Sequence, residues 1–201
     1  MEKIITDISQ LDPNGIYTYA DYLRWRLEER IELIKGKIFK MSPAPSARHQ
    51  KITGRLHGNM FVYFRQSTCE LYPAPFDVRL LDKRKTSQAN EKVYTVVQPD
   101  ICVICDKSKI DEHGCIGAPD LIVEILSLGN SKKEIKTKYA LYEENSVREY
   151  WVVYPSEQSL FQFILNEEEK FVLKAVFAED EVFNAHIFPD LQIDLAEIFA
   201  E

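Results

Sequence analysis

The sequence predicts an α/β fold of mixed character, with a central mixed β-sheet flanked by helices. Three observations carry this. Two short apolar runs, ICVI at 101–104 and LIVEIL at 121–126, each follow a Pro-Asp step and read as buried strands. The second run, the helical segment after it and EYWVVYP make a strand–helix–strand unit over residues 121–154. Such a unit favours parallel pairing and a right-handed crossover. Beyond it, EYWVVYP, SLFQFILN and KFVLKAVF read as three strands of a meander.

The elements follow in order. Residues 18–30 (TYADYLRWRLEER) read as a first helix with Thr18 as its N-cap. IELIKGKIFKMSPA reads as a hairpin turning at Lys35-Gly36 and ended by Pro43 and Pro45. Residues 46–65 read as a long helix, with Ile52, Leu56, Met60 and Phe64 at helical spacing. CELYPAPFDVRLL is strand-like, and residues 82–91 form a polar loop. TVVQPDICVIC reads as a strand, with Pro99 tolerated only near a start or an edge. Residues 106–118 connect it to the central strand PDLIVEILS, and residues 130–144 are a helix. HIFPDLQIDLAEIF closes the chain as a strand edge and a short helix.

The totals bound the class. A chain of 201 residues suits one domain, 1–201, with a full core. Hydrophobic residues make up 45%, enough to fold without disulfide or metal staples. No apolar run approaches the roughly 18 residues that a membrane helix needs, so no membrane association is expected. MEKIITDISQ lacks the apolar core of a signal peptide. Four cysteines without an export signal read as reduced thiols in a cytoplasmic protein. The net charge of −7 argues against a general nucleic-acid coat, because phosphate contacts dominate such binding. It leaves room for a local basic patch over an acidic centre. Lys132, Lys133, Lys136 and Lys138 form one cluster, and Lys83, Arg84 and Lys85 another. Each also reads simply as a solvated face or loop.

Glu124 sits in the middle of a buried strand, where a carboxylate is costly unless a cation or hydrogen bonds compensate it. Strand alternation puts Asp120, Ile122 and Glu124 on one face and Leu121, Val123 and Ile125 on the other. In the next helix Ser131 and Glu134 fit a capping box. Ile135, Lys138, Leu141 and Tyr142 share one face there, which is otherwise apolar and should pack on the sheet. Lys138 therefore points inward toward Glu124, while Lys132, Lys133 and Lys136 can point to water. With Asp100 on the neighbouring strand, the set is two carboxylates and a lysine. Two hard oxygen ligands that leave several waters in place suit Mg²⁺. A structural Glu–Lys ion pair in an unrelated α/β domain explains the same residues without a metal.

PDLIVEILSLGNSKKEIKTKYALYEENSVREYWVV resembles the Uma-type putative restriction endonuclease family, a branch of the PD-(D/E)xK nuclease superfamily. The resemblance extends to YTYADYL, IELIKGKIFKMSPAPSARHQKI and QPDICVI, and so covers most of the chain. It implies a restriction-endonuclease-like fold and metal-dependent cleavage of phosphodiester bonds in DNA. Asp100 and Glu124 would be the two acidic metal ligands of the motif, holding Mg²⁺ or Mn²⁺. The usual lysine position falls on Leu126, but the family places its lysine on the following helix, and Lys138 matches. Glu32 matches a glutamate of the family's N-terminal hairpin, a further acid of the catalytic set. Nucleases of this kind often work as dimers, so a homodimer is an expectation. The chain departs from the family at Leu128, Asn130, Glu134 and Tyr154. These departures and the acidic charge keep a second reading open: a nuclease-like nucleic-acid-binding module with weak or no catalysis.

Other residues have simpler readings. Glu32 alone reads as a hairpin glutamate paired with a surface lysine such as Lys37. Asp120 reads as a turn or cap residue, and Tyr139 and Tyr142 as packing, although one hydroxyl could orient Lys138. His49 reads as a solvent-exposed histidine, with contact to a phosphate or the metal shell as the alternative. Cys102 and Cys105, three apart on a strand, face opposite sides and cannot easily grip one zinc ion. His113 and Cys115 are loop residues near them, and Trp151 is core.

Overall fold

The computed structural model describes residues 4–41, 45–81, 92–127 and 132–200. Its first strands are β1 (Ile31–Ile34), β2 (Lys37–Lys40), β3 (Glu70–Pro73), β4 (Val78–Leu80) and β5 (Thr95–Val97). Next come β6 (Ile101–Ile104), β7 (Ile110–Asp111), β8 (Gly114–Ile116), β9 (Leu121–Ile125) and β10 (Glu149–Tyr154). The last are β11 (Ser159–Leu165), β12 (Phe171–Phe177), β13 (Val182–Asn184) and β14 (Gln192–Asp194). The α-helices are α1 (Tyr19–Tyr22), α2 (Ala47–Phe64), α3 (Lys132–Glu144) and α4 (Leu195–Phe199).

The fold is mixed α/β, as expected, but its strands divide between two large sheets. One runs β2-β1-β5-β4-β8-β7 and the other β12-β11-β10-β9-β6-β3. The division occurs inside TVVQPDICVIC, which the sequence presents as one strand. Pro99 lacks a backbone donor, and the chain turns there, so β5 joins the first sheet and β6 the second. Asp100 therefore stands at the joint between the sheets.

The hairpin of β1 and β2 forms as read. Lys35 and Gly36 take φ of 53° and 79°, the positive pair that a two-residue turn of matching twist requires. Here glycine is needed on two counts, since a Cβ at Gly36 would also press on Ile16 at 2.7 Å. The strand–helix–strand unit is present too: β9 and β10 are parallel, with Glu149 opposite Leu121. β9 is also antiparallel to β6, which makes it central and buried on both faces. Its Leu121, Val123 and Ile125 pack with Ile52, Leu56, Met60 and Phe64 of α2. Ile122 faces the other way, toward Leu141 and Tyr142 of α3. The β10–β11–β12 meander and the closing β14 and α4 also form as read.

The first helix is much shorter than predicted. Thr18 caps it, in a reciprocal capping box with Asp21, but α1 ends at Tyr22. Trp25 bridges to Ile5, and the Arg26 amide donates to the Ile5 carbonyl at 2.7 Å. Tertiary pairing thus overrides the helix propensity of residues 23–30. Cys69 and Cys105 form a disulfide, against the expectation of four reduced thiols; Cys102 and Cys115 are free and buried. The bridge arises because β3 pairs with β6 (Glu70 opposite Ile104), which brings the next residues face to face. Spacing along the chain does not reveal that pairing. No described helix is long and apolar enough to cross a membrane. The capping residue Ser131, the loop at 82–91 with its basic cluster, Pro43, Leu128 and Asn130 lie outside the described residues.

Candidate active site

The candidate site lies where the two sheets meet beneath α3. Glu32 comes from β1 of the first sheet and Glu124 from β9 of the second. Continuing the register of Ile101 with Val123 by one residue places Asp100 opposite Glu124. Lys138 comes down from α3, on the face that also buries Leu141 and Tyr142. The sequence-derived face of this helix is therefore correct, and Lys132, Lys133 and Lys136 are exposed, as expected.

Lys138 is the hub. Its Nζ donates to Glu32 Oε1 at 3.0 Å and to Glu124 Oε1 at 2.9 Å. All three residues are buried, with Glu32 4%, Lys138 8% and Glu124 9% exposed, so their charges compensate one another with little help from water. Tyr142 donates its hydroxyl to the same Glu124 oxygen at 2.5 Å, and the Gln98 amide donates to Glu32 Oε1 at 2.9 Å. Asp100 Oδ2 accepts from the Ile125 amide at 2.7 Å, which ties it to the strand that carries Glu124.

Electrostatics follows from this crowding. Burial pushes the Glu124 carboxyl up, to about 7, against the opposing charge of Lys138, and Asp100 and Glu32 add to the rise. For Lys138 burial works against the charge, but Glu124 and Glu32 outweigh it and hold the ammonium charged. The bonds to Glu124 both fall on Oε1. Among the described residues no buried side-chain oxygen lacks a partner, so the other oxygen of Glu124 is not sealed from solvent.

A family model described as Uma2, Putative restriction endonuclease, matches residues 19–196. The chain belongs to that family. Its relatives include an uncharacterized protein, slr1290, of Synechocystis, 24% identical over 165 residues and matched over 81% of each chain. The fold of this Uma2 family member is shared with a crystal structure from Anabaena variabilis described as a putative nuclease belonging to DUF820. The TM-score is 0.68 at 21% identity, covering 92% of this chain and 98% of that one.

Three readings of single residues change. Glu32 is not paired with Lys37, whose Nζ instead donates to the carbonyls of Asn14 and Gly15. His49 is not exposed: it is buried in the first turn of α2, with Nε2 3.4 Å from Asp100 Oδ1. Burial disfavours its imidazolium, but the hydrogen bond and charge of Asp100 outweigh this and raise its pKa. Tyr142 is more than packing, since it fixes a catalytic candidate rather than Lys138. Their shared helical face put Tyr142 beside Lys138 but did not name Glu124 as its partner. Asp120 is structural, as read, accepting from the Cys105 amide and from Arg148. Tyr139 donates to the Phe171 carbonyl and plays no part in the site. Cys102 packs on the α3 side of the sheet and Cys105 on the α2 side.

Proposed function

We propose that this protein is a metal-dependent DNA endonuclease that hydrolyses phosphodiester bonds at the Asp100–Glu124–Lys138–Glu32 cluster. The observation that carries the reading is the buried lysine held between two carboxylates from different sheets, with a third carboxylate opposite. Membership in a restriction endonuclease family supports it, and so does the fold.

Asp100 and Glu124 would hold the cation. The donor set fits Mg²⁺ or Mn²⁺: both are hard carboxylates, and one Glu124 oxygen is not sealed from solvent. Among the described residues no three His, Cys, Asp or Glu side chains converge as a ready metal cage. A two-carboxylate site completed by water and phosphate is the arrangement usual for Mg²⁺. When bound, the metal supplies polarisation of the phosphate and acidification of water. Lys138 directs its ammonium at the attacking water or at charge developing on the phosphate. Glu32 keeps Lys138 in place, and Tyr142 fixes the rotamer of Glu124. His49 steadies Asp100 from the α2 side.

A cleft of about 310 Å³ lies over Ile34, Ala140 and Leu141, with Lys133 and Lys136 on its rim beside Lys35, which pairs with Glu144 at 2.8 Å. Exposed Lys133 and Lys136 would give the acidic chain a local contact for backbone phosphates. A homodimer would set two such sites against two DNA strands.

Metal binding is tested by melting. Mg²⁺ or Mn²⁺ raises the midpoint of the wild type and not that of Glu124→Ala, because a ligand of the native state stabilises it. A wild type indifferent to both ions favours the non-catalytic binding module instead.

A further inference from the structure

A second cleft, of about 360 Å³, opens at the start of β1 and is lined by Tyr22, Trp25, Glu29, Arg30, Ile31 and Gln98, among others. Its size lies within the range of small-ligand sites. Its chemistry is that of a flat, partly polar guest. Tyr22, half-buried and stacked on Tyr19 by one face, leaves its other face toward the cleft, and Trp25, 8% exposed, closes the floor with its ring 5.9 Å away and tilted by 54°. Beside them Arg30 donates to the Gln98 side-chain oxygen at 2.9 Å, so a guanidinium and an amide share one wall. Aromatic faces stack on any base, and Arg and Gln read base edges.

Its position matters as much as its lining. Ile31 precedes Glu32 in β1, and Gln98 lies two residues before Asp100. Gln98 joins the two places physically: its backbone amide holds Glu32 at 2.9 Å while its side chain holds Arg30 and Asp77. A strand whose phosphate reached the carboxylates would have its neighbouring base at this cleft. A base paired inside a duplex could not enter it.

We propose that the cleft binds one unpaired nucleobase of the nucleic-acid strand, next to the bond that is cut. This inference rests on the nuclease reading for the identity of the strand. It makes single-stranded, frayed or distorted DNA the favoured substrate form.

The test uses the full chain without metal and reads tryptophan emission. The protein has two tryptophans, and Trp151 is fully buried in the core, so a change on binding reports Trp25. The probes are pentathymidylate, a blunt hairpin duplex and free thymidine monophosphate. Pentathymidylate should change the emission saturably, the duplex should not, and the mononucleotide should bind at least tenfold more weakly. Tyr22→Ala should weaken pentathymidylate binding by about fivefold or more, the lower end for loss of a base–aromatic stack. Arg30→Ala, at an exposed position, should weaken it with the melting midpoint unchanged. Duplex that binds as well as single strand, binding that leaves the emission unchanged, or no binding at all would overturn the proposal. Equal affinity for thymidine monophosphate would overturn it in favour of a free-nucleotide site. Because the measurement needs neither metal nor cleavage, a protein that cuts no DNA can still pass it. An active nuclease that fails it loses only the cleft.

Discussion

Lys138 carries the heaviest consequence of any single residue. Replacing it with methionine leaves Glu32 and Glu124 buried without their cation. Breaking a buried pair in this way costs about 3–5 kcal/mol, and a denaturant titration of Lys138→Met should show it. Glu124 yields a pH prediction. Its carboxyl is raised from the ordinary 4.5 to about 7 in the folded state. The folded protein therefore binds more protons than the unfolded chain between these values. Metal-free stability should fall as pH rises from about 4.5 to about 7, and this component of the slope should vanish in Glu124→Gln. Mn²⁺ affinity should rise across the same window, because the metal needs the ionised carboxylate. Titration calorimetry at several pH values would check this, and a pH-independent affinity would contradict it. Asp100, Glu124, Lys138 and Glu32 were all legible in the sequence, through strand alternation, helical spacing and resemblance. The burial of His49 and the bond from Tyr142 to Glu124 were not. Both depend on how a helix sits over a sheet, which periodicity does not specify.

At the scale of elements, α2 and the β9–α3–β10 unit could be read because their apolar periods are long and uninterrupted. α1 could not be delimited, because the pairing of Ile5 with Trp25 lies outside any local pattern. The split of TVVQPDICVIC at Pro99 likewise shows only once both sheets exist. α2 matters functionally because its first turn carries His49 against Asp100. Ser46 accepts from the His49 amide at 3.2 Å, so Ser46→Ala should destabilise the protein by about 1 kcal/mol. Leu56, fully buried against β9, should cost about 2–5 kcal/mol when cut to alanine. Thermal melting would check both. A Ser46 variant as damaging as the Leu56 variant would mean that the cap does more than start the helix.

Across the whole molecule, the site exists because two sheets converge: one supplies Glu32, the other Glu124, and Asp100 lies at the chain crossing between them. That convergence is long-range, and the sequence showed a single sheet where the structure has two. Net charge is equally uninformative about the local surface, since exposed Lys133 and Lys136 rim one cleft on a chain of charge −7. The central claim is that this cluster hydrolyses DNA. The most direct measurement is cleavage of supercoiled plasmid with Mg²⁺ or Mn²⁺ by wild type, Glu124→Ala and Lys138→Ala, each first shown to be folded. The account predicts nicked or linear product from the wild type alone, and none without metal. Equal cleavage by folded Glu124→Ala, or none by any protein with either metal, would contradict it.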